Sequence, residues 1–191
     1  MTLDVEKTIK WMDDFNAEIQ AQKGYLSELD TPIGDGDHGN NMARGMEAVH
    51  EALDGKEFNS VSDVLKTIAM SLISKVGGAA GPLYGTAFLE MSKTNSGDIK
   101  DLIPAGLAGI ERRGNATEGE KTMVDVWKPA AEAVSAGKLT SKLIDESVEK
   151  TRDMQATKGR ASYVGERSIG HIDPGSMSSG YLLKTLLKVG E

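Results

Sequence analysis

The stretch SVSDVLKTIAMSLISKVGG, residues 60–78, decides the fold. Within it Val61, Val64, Leu65, Ile68, Ala69, Leu72 and Ile73 recur at intervals of three and four, the spacing of one helix face. Ser60 or Ser62 is placed to cap the start, where a hydroxyl can accept from a free first-turn N–H, and Gly77-Gly78 ends the run. The same rhythm extends outward in both directions. Val5, Ile9, Met12 and Ile19 predict a first helix stopping near Gly24, and Met42, Met46, Val49 and Leu53 a second. Leu83, Ala87 and Met91 predict a fourth; Ile99, Leu102, Ile103 and Ile110 a fifth, with Pro104 an irregularity near its start. Met123, Val126, Trp127, Ala130 and Val134 mark a sixth, with Pro129 in its first turns or kinking it. Leu143, Ile144, Val148 and Thr151 place the seventh, and Leu182, Leu183, Leu186 and Leu187 the eighth. No stretch alternates with the period of two that a strand requires. The expectation is an all-α chain of eight helices in one bundle-like domain, residues 1–191.

Composition excludes several classes of function. A formal net charge of −7 opposes a sequence-independent grip on nucleic acid, which needs a basic surface to displace counterions. The lack of cysteine removes disulfides, thiolate nucleophiles and Cys-ligated zinc together. No apolar run approaches the ~20 residues a bilayer span needs, and the acidic amphipathic start lacks the shape of a signal peptide. A cytoplasmic protein away from membranes is expected. If its ligand is a phosphate, local positive charge must overturn a repulsive global field.

Four segments concentrate glycine with polar residues just before a helix: Asp30–Asn41, Gly77–Gly85, Gly114–Thr122 and Lys158–Ser176. Helical proteins do not need such loops merely to turn, and four of them suggest one binding face. The first, LDTPIGDGDHGNN, sets Asp30, Asp35 and Asp37 within eight residues, separated by Pro32, Gly34 and Gly36. Two like charges ~5 Å apart repel by roughly 3 kcal/mol at an effective dielectric near 20. Folded inward, the three therefore need a cation; left exposed, they form an acidic turn capping the second helix. Oxygen ligands favour Mg²⁺, Mn²⁺ or Ca²⁺. No EF-hand register works, because neither position twelve supplies a Glu nor position six a Gly, so magnesium suits the site better than stored calcium. His38 is a hydrogen-bonding residue or, as a sharper reading, a phosphoryl acceptor. Gly39, Asn40 and Asn41 open the second helix, whose free N–H groups and dipole favour an anion.

VGGAAGPLYGTAF, around Ala79 and Ala80, follows a helix, so it is no Rossmann fingerprint; it serves either close ligand approach or tight helix packing. GNATEGEKT, from Gly114, misses a Walker loop because Glu120 intrudes before Lys121-Thr122 and no strand precedes it. Met123 belongs to the core or lies against a nucleobase. KGRASYVGERSIGHIDPGS gathers Lys158, Arg160, Arg167 and His171 in an acidic chain. Asp173 either caps the last helix or, with Pro174 and Gly175, meets a ligand beneath a lid carrying Arg160.

TPIGDGDHGNNM, GGAAGPLYGTAF, GEKTMVDVW and GERSIGHIDPGS, in that order, resemble the L subunits of phosphoenolpyruvate-dependent dihydroxyacetone kinases. The resemblance covers Asp30 to Ser176. It implies an antiparallel eight-helix barrel with a nucleotide at one end. Asp30, Asp35 and Asp37 would then hold two Mg²⁺ ions against the diphosphate. His38, Gly39, Asn40 and Asn41 would contact phosphate and ribose; Ala79, Ala80, Gly114 and Met123 would line the pocket; Arg160 and Asp173, Pro174 and Gly175 would close it. It further implies a phosphotransferase subunit with tightly held ADP/ATP. A phosphohistidine on an M subunit would phosphorylate that ADP, and the ATP would phosphorylate dihydroxyacetone on a K subunit. No residue of this chain takes the role of base or nucleophile. Rival readings are an ATP-exchanging kinase domain of the same family and a non-catalytic helical metal-binding or regulatory module. Monomer and homodimer stay equally open.

Overall fold

Helix starts divide into two kinds, and the division locates the site. The computed structural model describes residues 1–190 and contains eight α-helices. They are α1 (Val5–Asp30), α2 (His38–Leu53), α3 (Val61–Lys75), α4 (Ala80–Lys93), α5 (Ile99–Gly114), α6 (Val124–Ser135), α7 (Ser141–Lys150) and α8 (Pro174–Val189). Each odd-numbered helix has its first turn closed by a side chain. Asp4 accepts from Lys7 N, Ser60 from Asp63 N, Asp98 from Lys100 N and Thr140 from Leu143 N. At α2, α4 and α6 no side chain at the N-cap does this. Only α8 among the even helices is capped, by Asp173.

Each helix packs on its neighbour in sequence, and α8 packs on α1, so the eight close into a ring. Alternate connections therefore fall at alternate ends. Those leading into α2, α4, α6 and α8 gather at one end, and three of these helices begin there without a side-chain cap. The far end holds the chain start, where Thr2 forms an isolated antiparallel bridge with Asp98. Among the described residues there is no named strand, as expected, and no helix long and apolar enough to cross a membrane.

The interior is filled by large side chains from all around the ring. Trp11, Phe15, Tyr84, Phe88 and Trp127 are each at most 1% exposed, and burying a side chain of this kind contributes roughly 1.5–3 kcal/mol. Trp11 also donates from Nε1 to Leu182 O at 2.9 Å, tying α1 to α8 across the seam that closes the ring.

Four details depart from the sequence reading. First, α1 runs through Gly24 to Asp30. A helical glycine costs about 1 kcal/mol relative to alanine, and burial of Leu26 beyond it against the core outweighs that. Second, Ile73 is 43% exposed; it lies over Gly85 of α4, at the outer edge of the α3–α4 contact. Third, α5 continues through Pro104, whereas Pro129 falls in the early turns of α6 as expected. Fourth, the long segment before α8 is not irregular throughout. It contains short 3-10 helices at Thr151–Asp153 and Arg160–Ser168, the second broken at Gly165, where φ is +57°.

Candidate nucleotide and metal site

Asp30 ends α1 and organises the loop that follows it. Its Oδ2 accepts from the backbone N–H of Asp37 at 3.0 Å and of His38 at 3.2 Å, folding Thr31–Asp37 back over the helix end. Two positions need glycine. A Cβ on Gly34 would stand 2.0 Å from Asp30 Oδ1, and Gly36 has φ +74°. The folded loop brings ligand atoms of Asp30, Asp35 and Asp37 within 4.8 Å of one another. Asp30 is buried, whereas Asp35 and Asp37 reach solvent. Both loop hydrogen bonds go to Oδ2, leaving Oδ1 outside them. An all-carboxylate set with one buried and two open members suits a hard divalent cation that keeps part of its water shell.

The lid segment closes on this loop in two ways. Arg160 Nη1 pairs with Asp35 Oδ2 at 2.5 Å, and Ile33 packs with Ala156, Ala161 and Val164 in a small apolar cluster. The cation required near an anionic ligand is thus delivered by a residue 125 positions from its partner.

A third contribution comes from the segment between α5 and α6. Asp125 accepts from Gly119 N at 2.5 Å and from Thr122 N at 2.8 Å. Burial pushes its carboxyl above the usual range, against these two donors. The turn they hold places Lys121 in a left-handed conformation, φ +60°, with only 1% of its surface exposed. Its ammonium donates to Thr151 O at 2.5 Å and to His171 O. One buried lysine therefore pins both ends of the lid, while burial holds its pKa below the ordinary lysine value.

The cleft between these parts is lined by Asp30, Asp35, Asp37, His38 and Asn41, by Ala79 and Ala80, by Met123, by Arg160, and by Asp173, Pro174 and Gly175. An adjoining, more apolar recess is lined by Leu83, Ile110, Gly114, Ala116 and Met123. The two share Ala79, Leu83, Thr122, Met123, Lys158 and Gly159, so they form one elongated cleft, charged at one end and apolar at the other. Of the residues singled out in the sequence, Gly39 and Asn40 are not on its wall. Gly39 lies where α2 meets α1, against Lys23 O.

Spacing and composition alone point to no role for Lys121, Asp125, Tyr84, Ser178 or Ser179. A lysine just ahead of an apolar helix start was the available signal for Lys121, but the failed Walker spacing concealed it. For the serines, the signal was SMSSG opening a helix that is otherwise apolar.

Asp173 shows how this environment acts on a carboxyl. It is buried, and burial pushes its pKa from 3.8 up to about 6, against the hydrogen bond from Ser176 N and the nearby Lys121 charge. A carboxyl with a raised folded-state pKa contributes stability that is complete below the unfolded value and lost as pH rises through the folded one. Asp173→Asn keeps a capping oxygen without the titration. The stability of the protein minus that of the variant is expected to fall as pH rises from about 4 to about 6, as read from urea melts across that range. A flat difference would contradict the raised value.

A family model described as the DAK2 domain matches residues 32–188. The PTS-dependent dihydroxyacetone kinase ADP-binding subunit DhaL of Lactococcus lactis subsp. lactis (strain IL1403) is 54% identical over 189 residues, 98% of either chain. The PEP-dependent dihydroxyacetone kinase 1 ADP-binding subunit DhaL of Listeria innocua serovar 6a is 50% identical over 194 residues, again 98% of either chain. In three dimensions the chain resembles the dihydroxyacetone kinase of C. freundii, solved in complex with AMP-PNP and Mg²⁺. The TM-score is 0.76 at 20% identity over 98% of this chain, which spans 34% of that one. That likeness establishes the fold, and the sequence match establishes descent: the chain belongs to the DAK2 domain family.

Proposed function

We propose that this chain, acting as one nucleotide-binding domain over residues 1–191, is the ADP-binding subunit of a phosphoenolpyruvate-dependent dihydroxyacetone kinase. A phosphohistidine of an M subunit phosphorylates the ADP held here, and the ATP formed phosphorylates dihydroxyacetone on a K subunit. The observation that carries the proposal is one cleft in which three carboxylates, the uncapped starts of α2, α4 and α6, and the lid guanidinium meet, with an apolar recess alongside. The similarity to the two DhaL subunits over nearly their whole length supports the same reading.

Magnesium bound by Asp30, Asp35 and Asp37 supplies charge neutralisation to a diphosphate. The chain itself does the rest by position. The start of α4 offers backbone N–H groups to the phosphates, and the starts of α2 and α6, whose first N–H groups are held by Asp30 and Thr122, add the positive ends of their dipoles. Arg160, anchored beside Asp35, adds a charge that needs no reorganisation during transfer. Met123 and Leu83 give the base an apolar wall, and the lid restricts water. Phosphoryl transfer rests on positioning and charge neutralisation, which accords with a site that contains no obvious general base.

Denaturing the purified, dialysed protein and assaying the released nucleotide tests the reading. Near-stoichiometric ADP supports it; an empty protein, or one inactive with K and M subunits fed phosphoenolpyruvate, defeats it. Arg160→Ala is expected to speed ADP loss about tenfold, the scale of one charge-assisted hydrogen bond, while magnesium binding persists. Stopped-flow displacement of a fluorescent ADP analogue measures the rate, and an unchanged rate would remove Arg160 from the ligand's surroundings.

A further inference from the structure

Beneath the cleft, a row of polar side chains crosses the barrel from α6 to α2. Trp127 Nε1 donates to Ser179 Oγ at 3.0 Å. Ser179 Oγ lies 2.9 Å from Tyr84 Oη, and Tyr84 Oη 2.7 Å from Ser178 Oγ. Ser178 Oγ lies 2.9 Å from Nε2 of His38. Trp127, Tyr84, Ser178 and Ser179 are fully buried. Only the His38 end reaches the cleft wall.

The direction of these bonds follows from what each group can give. An indole N–H only donates, and a hydroxyl has one proton to pass on. Ser179 accepts from Trp127, and its hydroxyl has no other protein partner than Tyr84 among the described residues, so its proton faces Tyr84 Oη. Reversing that bond would bury an unsatisfied serine proton, which costs about 1–3 kcal/mol. Tyr84 then gives its only proton to Ser178, its nearer partner; the alternative, Gly175 O, is 3.4 Å away. Ser178 can pass its proton to His38 Nε2 at 2.9 Å or to Gly175 O at 3.1 Å.

Distance decides between these: His38 Nε2 is the nearer acceptor. A neutral imidazole that accepts at Nε2 carries its hydrogen on Nδ1 and presents a donor there. Nδ1 bonds to no protein group among the described residues, so that donor remains available.

We propose that Ser178 is a positioning residue for His38: the chain Trp127–Ser179–Tyr84–Ser178 points a hydrogen-bond donor at Nε2 and so holds the ring in its Nδ1–H form, as a ready donor to an anionic oxygen. The tautomer assignment stands on the barrel alone, while the donor's use by a phosphate rests on the nucleotide-binding reading above. Networks of this kind strengthen one another because each bond polarises the next. They also explain why an apolar barrel keeps two adjacent buried serines on α8.

Nitrogen-15 NMR of histidine-labelled protein at pH 8 reads the tautomer directly. The chain has three histidines, and the His38 signals are those that vanish in His38→Gln. The expected result is a protonated Nδ1 and a bare Nε2, with and without ADP and magnesium. A protonated Nε2 in the unaltered protein would overturn the proposal by itself. Tyr84→Phe cuts the row in the middle. It should shift the ring toward the other tautomer and speed ADP loss about tenfold, whereas a ring that stays wholly Nδ1–H in this variant would equally overturn it. Retained ADP with a protonated Nε2 would sink this inference and leave the proposed function standing. An empty protein with a protonated Nδ1 would do the reverse, supporting the tautomer assignment.

Discussion

Asp30→Asn is expected to leave the helical fold in place and to weaken magnesium-dependent ADP retention by about two orders of magnitude. The loop depends on Asp30 Oδ2, which accepts from Asp37 N and His38 N. An asparagine carbonyl can accept both bonds, so the loop keeps its shape. The change falls on the other atom. Oδ1 becomes an NH₂ on a residue that lies within 4.8 Å of the ligand atoms of Asp35 and Asp37. A donor there repels a cation, and two carboxylates are left where three stood. Removing the one buried charge of the three costs about 3 kcal/mol, equivalent to about a hundredfold loss of binding. Isothermal titration with magnesium and ADP, beside far-ultraviolet circular dichroism, separates the two effects. Unchanged retention in a folded variant would remove Asp30 from the metal site. Loss of helicity would show that the loop needs the full carboxylate.

Gly39→Ala is expected to cost the protein about 3 kcal/mol and, for a chain of this length, to lower its melting temperature by about 10 °C. The reason is a backbone contact. A Cβ on Gly39 would stand 1.8 Å from Lys23 O and 2.7 Å from Lys23 C, so α2 and α1 must separate. Neither is a flexible side-chain end that could swing aside. Because α2 begins at His38, directly after Asp37, the same displacement moves the metal loop, and ADP retention should fall with stability. Gly24→Ala supplies the control. It lies in the same α1, a Cβ there meets nothing within 4 Å, and replacing a helical glycine by alanine should stabilise by about 0.5–1 kcal/mol. Calorimetry of both variants checks the pair. Similar melting temperatures would mean that the α1–α2 approach is not as close as the structure has it.

Gly39 also shows how one glycine can answer to more than one use. Its position in DGDHGNN suggested a phosphate contact, and the same motif is equally satisfied by a glycine that permits two helices to touch. Sequence spacing does not separate these uses, since both ask only for the absence of a side chain. Gly24 misled in the opposite direction. It read as a stop because glycine weakens a helix locally, and no local rule includes the burial of Leu26 two residues later. The lid was legible as a cationic segment, but not as a folded one. Its short 3-10 turns are held by Ser168 and by Lys121, at distances along the chain that periodicity does not reach.

Local chemistry determined the helix count, the all-α class and the three clustered aspartates. Apolar spacing, caps such as Ser60 and the turn-making glycines of the aspartate loop act within a few residues. Tertiary structure alone decided which helix starts lack a cap and face one cleft, that Arg160 reaches Asp35, and that Lys121 lies buried under both ends of the lid. It also decided that Trp127 and His38 are joined through hydroxyls on α4 and α8. Each of these is a contact between segments far apart in the chain, fixed by how the ring of helices closes, and closure is a property of the packed whole.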